Sequence, residues 1–128
     1  MEVTLDATAR CGHPGAMQIY KILRAGEWAA LRTDGETRGA PVDIADGFIH
    51  FSTAAQVAET AARHFAGARD LELLAYDSET LGPALKWEPS RDGALFPHLY
   101  GPLRLSDMLW HSPLPLENGR HVFPEGVI

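Results

Sequence analysis

The sequence predicts a single α+β domain built on a mixed or antiparallel sheet. Three observations predict it. A length of 128 residues, against about 150 per domain, leaves room for one compact unit. Helical spacing is confined to the first half, where two helices are expected, and the second half holds short strand-like segments separated by Gly and Pro. Regular alternation of strand and helix, the mark of a parallel sheet, is absent. With 45% apolar and 22% charged residues the chain has ordinary globular composition, and a domain of this size builds a core without disulfides or a structural metal.

Residues 1–16 carry no hydrophobic period and gather Cys11, Gly12, His13, Pro14 and Gly15 as breakers. They read as a flexible appendage to a domain spanning 17–128, with Met17 as a possible native start; an N-terminal strand through Val3 and Leu5 is the other reading. From Gln18 to Leu23 a β-branched and aromatic run predicts a strand with Ile19 and Lys21 on one side and Tyr20 and Ile22 on the other. Arg24 to Leu31 reads as a short helix closed by Asp34-Gly35. Glu36 to Asp46, with Gly39, Pro41 and no period, reads as a loop. Phe48 to Ser52 is predicted as one strand whose Phe48, His50 and Ser52 share a face. Thr53 to Gln56 is a capping-box pattern opening a helix through Ala54, Val57, Ala58, Ala61 and Phe65 to Gly67. Asp70 to Tyr76 is a largely apolar, central strand; Leu81-Gly82-Pro83 is a turn; Leu85 to Glu88, Leu95 to Tyr100 and Leu109 to Ser112 are further strands.

Composition excludes several classes of function. Eleven basic against seventeen acidic residues give a net charge of −6, which disfavours stable binding to nucleic acid. No run reaches the roughly 20 apolar residues that span a bilayer, and the N-terminus lacks the pattern of a signal peptide, so no membrane association is expected. Cys11 is alone, which excludes an internal disulfide and a multi-cysteine zinc site and fits a reducing, cytoplasmic location. No metal is expected: His50 and His98 have neither H-x-H nor H-x-x-x-H spacing. G-x-S-x-G, Walker and G-x-G-x-x-G motifs are missing as well. The oligomeric state is left open.

Three constellations remain. In Asp43-x-x-Asp46-Gly-Phe-Ile-His50-Phe-Ser52-Thr53, a histidine and a serine two apart feed a helix N-terminus, where free N–H groups favour a phosphate; the same pair also fits a core histidine and a simple cap. In Trp87-Glu88-Pro89-Ser90-Arg91, Glu88 beside an aromatic is expected to have a raised pKa suited to acid/base work, with Arg91 as an anion fork; a solvated surface pair is the alternative. In Phe96-Pro97-His98-Leu99-Tyr100, His98 and Tyr100 share a face, so that both pairs could meet one ligand. His64 reads as solvent-facing.

The segments I-Y-K-I-L at 19–23, D-G-F-I-H-F-S-T at 46–53, F-A-G-A-R-D-L-E-L-L at 65–74, W-E-P-S-R-D-G at 87–93 and F-P-H-L-Y-G-P-L at 96–103 together resemble the bacterial family catalogued as domain of unknown function 952. The likeness covers residues 17–112. That family is grouped with the ADP-ribosyltransferase superfamily, so the resemblance implies a small split-sheet fold with an NAD-shaped cleft and NAD as a possible substrate. There is also an echo of the RNA 2′-phosphotransferases, in which Y-H-G-T and H-V-H-L-S strands bracket the NAD site. Tyr20-Lys21-Ile22-Leu23 and Ile49-His50-Phe51-Ser52 stand on those two strands, with Lys21 in place of the first histidine. The resemblance implies His50 and Ser52 at the nicotinamide ribose, Lys21 and Arg91 near the pyrophosphate, and Glu88 at the oxocarbenium-like centre or as base. It also allows a non-catalytic module that binds a nucleotide-like small molecule, or a fold that serves only as an interaction scaffold.

Overall fold

A computed structural model describes residues 17–90 and 93–127; the appendage expected at 1–16, with Cys11, and the anion fork expected at Arg91 lie outside the described residues. The chain is an α+β domain, and among the described residues every strand pairing is antiparallel. The mixed sheet is thereby narrowed to an antiparallel one.

The main sheet has the order β4 (Ser52–Thr53), β1 (Gln18–Leu23), β5 (Leu71–Asp77), β9 (Met108–Leu114). Its two central strands are largely apolar and buried because both faces are covered. Ile19, Leu23, Leu74 and Tyr76 pack on one side with Leu31, Ile49, Phe51, Leu99 and Leu103. On the other, Tyr20, Ile22, Leu71, Leu73 and Ala75 pack with Val57, Ala61, Leu114 and Val127. Helix α1 (Ala25–Asp34) supplies Leu31 to the first layer and α3 (Ala54–His64) supplies Val57 and Ala61 to the second. A smaller sheet, β3 (Ile49–His50), β7 (Leu95–Leu99), β6 (Leu85–Pro89), stands beside the main one. The short strands β2 (Glu36–Thr37) and β8 (Leu103–Arg104) pair with each other, as do β10 (Leu116–Glu117) and β11 (Arg120–His121).

Several expectations are corrected. The segment 36–46 is not a loop: it holds β2 and the helix α2 (Pro41–Asp46). Pro41 presets the first helical residue, Asp43 accepts the Ala40 N–H, and Gly47 closes the helix at φ 88°. Six residues are too few to show a helical period, which hid α2; among the described residues the N-terminal half holds three helices rather than two. Helix α1 runs on to Asp34, because Gly35 at φ 81° is its first residue able to turn back onto Leu31. Helix α3 stops at His64, before Gly67, with Phe65 donating its N–H to Ala61. Leu81 ends a short helix, α4 (Ser78–Leu81), and Gly82–Ala84 form a 3-10 turn.

The predicted strand at 48–52 is two strands in two sheets, and this break creates the site. Phe51 donates its N–H to Pro97 on β7 and buries its ring against Tyr76, edge to face at 5.5 Å. Pairing with β1 therefore stops at Ile19↔Thr53 and Tyr20↔Ser52, while His50 pairs with His98 in the other sheet. Beyond Tyr20, the outer side of β1 has no strand partner among the described residues, and the two sheets part there.

Candidate functional site

A cleft of about 560 Å³ opens at this parting, lined by Lys21, Arg24, Glu27, Asp46, His50, Ser52, Thr60, His64 and His98 among its polar side chains and by Tyr20, Ile22, Phe65 and Phe96 among the apolar ones. Two of its lining residues, Lys21 and His50, converge behind it on Asp43, a member of the first constellation to which sequence reasoning assigned no role. The fully buried Asp43 accepts four donors: Lys21 Nζ at 2.8 Å, Ala40 N at 2.8 Å, His50 N at 3.0 Å and His50 Nδ1 at 2.6 Å. These occupy the lone-pair positions of both carboxylate oxygens. Lys21 belongs to the core-facing file of β1 between Ile19 and Leu23, and its ammonium needs a buried partner; Asp43 is that partner, with the His50 carbonyl at 3.1 Å. Gly39, at φ 100°, is required nearby, because a Cβ there would lie 2.4 Å from Asp43 Oδ2.

Burial alone would raise the pKa of Asp43, but the hydrogen bond from His50, the charge and hydrogen bond of Lys21, and the His50 N–H together outweigh it and hold the carboxyl at about 2. A carboxyl depressed in the folded state stabilises the fold above its unfolded pKa and loses that contribution as pH falls through the folded value. Asp43 is thus expected to contribute on the order of 2 kcal/mol above about pH 4, lost between about pH 4 and 2. Urea midpoints measured across this window should fall in the wild type and fall less steeply in Asp43→Asn; equal slopes would contradict the assignment.

His50 reaches outward from this hub. Its Nε2 lies 2.9 Å from Asp46 Oδ2 at the cleft mouth, so the ring joins a buried carboxylate to a half-exposed one. At the far end, the Arg24 guanidinium lies 4.7 Å above the Phe65 ring, and its NH2 group donates to the His64 carbonyl at 3.4 Å. Two cationic side chains, Lys21 and Arg24, and two acidic ones, Glu27 and Asp46, thus border the same space.

Of the residues selected from sequence, Lys21, His50, Ser52 and His98 meet in the cleft. Ser52 is buried and shares a hydrogen bond of 2.8 Å with Thr60. Thr53 and Tyr100 do not line it. Thr53 caps α3, its N–H donating to Gln56 Oε1, and the cleft meets α3 at Thr60 and His64 rather than at its N-terminus. His64 is exposed, as expected, but at the cleft rim.

Glu88 is the main correction. It does not line the cleft, and its carboxyl is lowered rather than raised, by the hydrogen bond from His98, then that from Tyr100, then nearby charge from His98 and Lys86. The adjacent tryptophan, Trp87, is itself substantially exposed, and the desolvation of the carboxyl is outweighed by these hydrogen bonds. Among the described residues no three His, Cys, Asp or Glu side chains form a group that could hold a metal, and no helix is long and apolar enough to cross a membrane.

Residues 22–111 match the family described as Protein of unknown function (DUF952). The crystal structure of protein CC0527 from Caulobacter crescentus is 48% identical to this chain, covering 83% of it and 94% of the Caulobacter chain, with a TM-score of 0.80. A solution NMR structure of CC0527 gives 49% identity, coverage of 81% and 90%, and a TM-score of 0.73. A comparison with curated proteins found no match.

Proposed function

The chain belongs to the DUF952 family, and we propose that within this family it is an NAD- or ADP-ribose-utilising protein whose ligand occupies the cleft where the two sheets part. The observation that carries the reading is the His50–Asp46 pair at the cleft mouth. Asp46, held by His50 through Oδ2, keeps its second carboxylate oxygen to accept from a ribose hydroxyl, the role an acidic residue plays at a ribose diol. About 560 Å³ is within the range of small-molecule sites. Arg24, at the opposite end, supplies a fork for a pyrophosphate. The balance of two cations and two acids suits a ligand that carries hydroxyls as well as phosphate, whereas a bare phosphate site would have no use for Asp46.

Two forms of this function follow: cleavage or transfer at the ribose, or binding without turnover. With Glu88 outside the cleft and both His50 nitrogens engaged by carboxylates, neither residue is placed to act as base in the first form, which needs another.

At about ten times its dissociation constant, NAD or ADP-ribose should stabilise the fold by roughly 1.4 kcal/mol. That is a melting shift on the order of 5 °C. The shift should shrink in His50→Ala and in Asp46→Ala. Unchanged melting with millimolar NAD and ADP-ribose would overturn the reading, and release of free nicotinamide from NAD separates turnover from binding.

A further inference from the structure

The cleft contains a second carboxylate-held histidine, and this one has a ring nitrogen to spare. His98 is nine-tenths buried yet lines the cleft. Its Nδ1 is 2.8 Å from Glu88 Oε1 on the neighbouring strand β6, and Tyr100 donates its hydroxyl to the same oxygen at 2.9 Å. Phe48 stacks on the imidazole at 4.2 Å, and His50 meets it edge-on at 5.4 Å. An ionised carboxylate can only accept, so in the neutral ring Nδ1 holds the proton and Nε2 keeps a lone pair. No hydrogen bond to that Nε2 comes from the described residues. His50 differs, since Asp43 and Asp46 engage both of its nitrogens.

We propose that His98 is the proton acceptor of the cleft and Glu88 its positioning residue, so that the chemistry proposed above starts from a hydroxyl deprotonated by His98 Nε2. The proposal rests on the NAD reading and adds the base that reading lacks. In the step envisaged, Nε2 takes a proton from water as the water oxygen bonds to the anomeric carbon of the nicotinamide ribose. The carbon–nitrogen bond breaks, and its electron pair leaves with neutral nicotinamide. The proton then passes from His98 to solvent, leaving ADP-ribose, nicotinamide and one proton from NAD and water. A carboxylate that fixes the tautomer of a general-base histidine is an arrangement that recurs on unrelated folds. Glu88 thereby acquires a role one residue removed from the ligand.

The groups that face His98 are Glu88 and Lys86 on β6, the Tyr100 hydroxyl, and His50 on β3. Of these, Glu88 alone bonds to the ring. The test uses the full chain and three readouts. Long-range proton–nitrogen correlation of histidine-labelled protein should show the neutral His98 ring protonated at Nδ1 and bare at Nε2. A ring protonated at Nε2 alone would overturn the dyad even if NAD binds. His98→Asn, which keeps a donor for Glu88, should lower nicotinamide release from NAD by about 10²-fold or more. Glu88→Gln should lower release as well and let the His98 ring populate both tautomers, because the acceptor-only carboxylate that fixes Nδ1–H is gone. In both variants the melting shift with NAD should persist. Release within twofold of wild type in His98→Asn would overturn the proposal, as would NAD binding with no release at all. Absence of any NAD-induced melting shift would overturn the NAD reading and the proposed step together.

Discussion

Asp43→Ala is expected to be the most damaging single substitution on the cleft side of the molecule, costing about 3–5 kcal/mol, the range for removing one partner of a buried ion pair. The wild-type carboxylate satisfies four donors at once. Alanine leaves the Lys21 ammonium in the core-facing file of β1 with only the His50 carbonyl. It also strips the Ala40 and His50 N–H groups of their acceptor. Asp43 is the buried residue of α2, so this helix is held down by polar bonds rather than by an apolar face. Urea denaturation of wild type, Asp43→Ala, Asp43→Leu, Lys21→Met and the double variant Lys21→Met/Asp43→Leu checks the pairing. Each single change should be strongly destabilising, and the double should recover part of the loss, because removing both charges leaves none unpaired. A double variant as unstable as the sum of its parts would contradict this pairing.

Phe51→Ala is expected to cost about 3–5 kcal/mol by a different route, cavity formation. The ring is fully buried at the point where the chain leaves the main sheet for the smaller one, packed with Tyr76, Ile49 and Leu99. Its loss removes contacts that hold the two sheets at their present separation, so cleft binding should weaken along with stability. Phe51→Leu, which keeps most of the volume, should lose markedly less. Chemical denaturation with ligand titration of both variants provides the check. Binding retained in a strongly destabilised Phe51→Ala would show that the cleft does not depend on this residue.

Much of the framework was legible in the sequence because its signals are long and periodic. The apolar run at 71–76 announced a central strand, and the alternation at 19–23 correctly set Ile19 and Lys21 on one side and Tyr20 and Ile22 on the other. The spacing of Val57 and Ala61 announced α3. Short elements escaped: α2 spans six residues, and β3 and β4 span two each. No periodicity can separate two strands of two residues from one strand of five, so the division at Phe51, which makes the cleft, was invisible.

The site was partly legible for a related reason. Lys21 in a core-facing file demands a buried counter-charge, and that demand could be read. Its answer could not, since Asp43, Asp46 and Glu27 are all nearby in sequence and only the cap of α2 at Ala40 selects Asp43. His50, Ser52 and His98 were found because strand period two places them on related faces. Glu88 was misread because a neighbouring tryptophan in sequence does not fix burial in space. Its actual environment is set by the β6–β7 pairing, which brings His98 and Tyr100 within hydrogen-bonding distance.

The central claim is that the parting of the sheets is a binding site for an ADP-ribose-bearing ligand. Amide proton–nitrogen correlation spectra of the full chain, recorded through a titration with ADP-ribose, test it most directly. The account predicts saturable shifts concentrated at Lys21–Arg24, Asp46–Ser52, Thr60–Phe65 and His98, with β9 and the exposed side of α1 little changed. A spectrum unmoved by millimolar ADP-ribose, or shifts centred on β9 and the exposed side of α1, would contradict it.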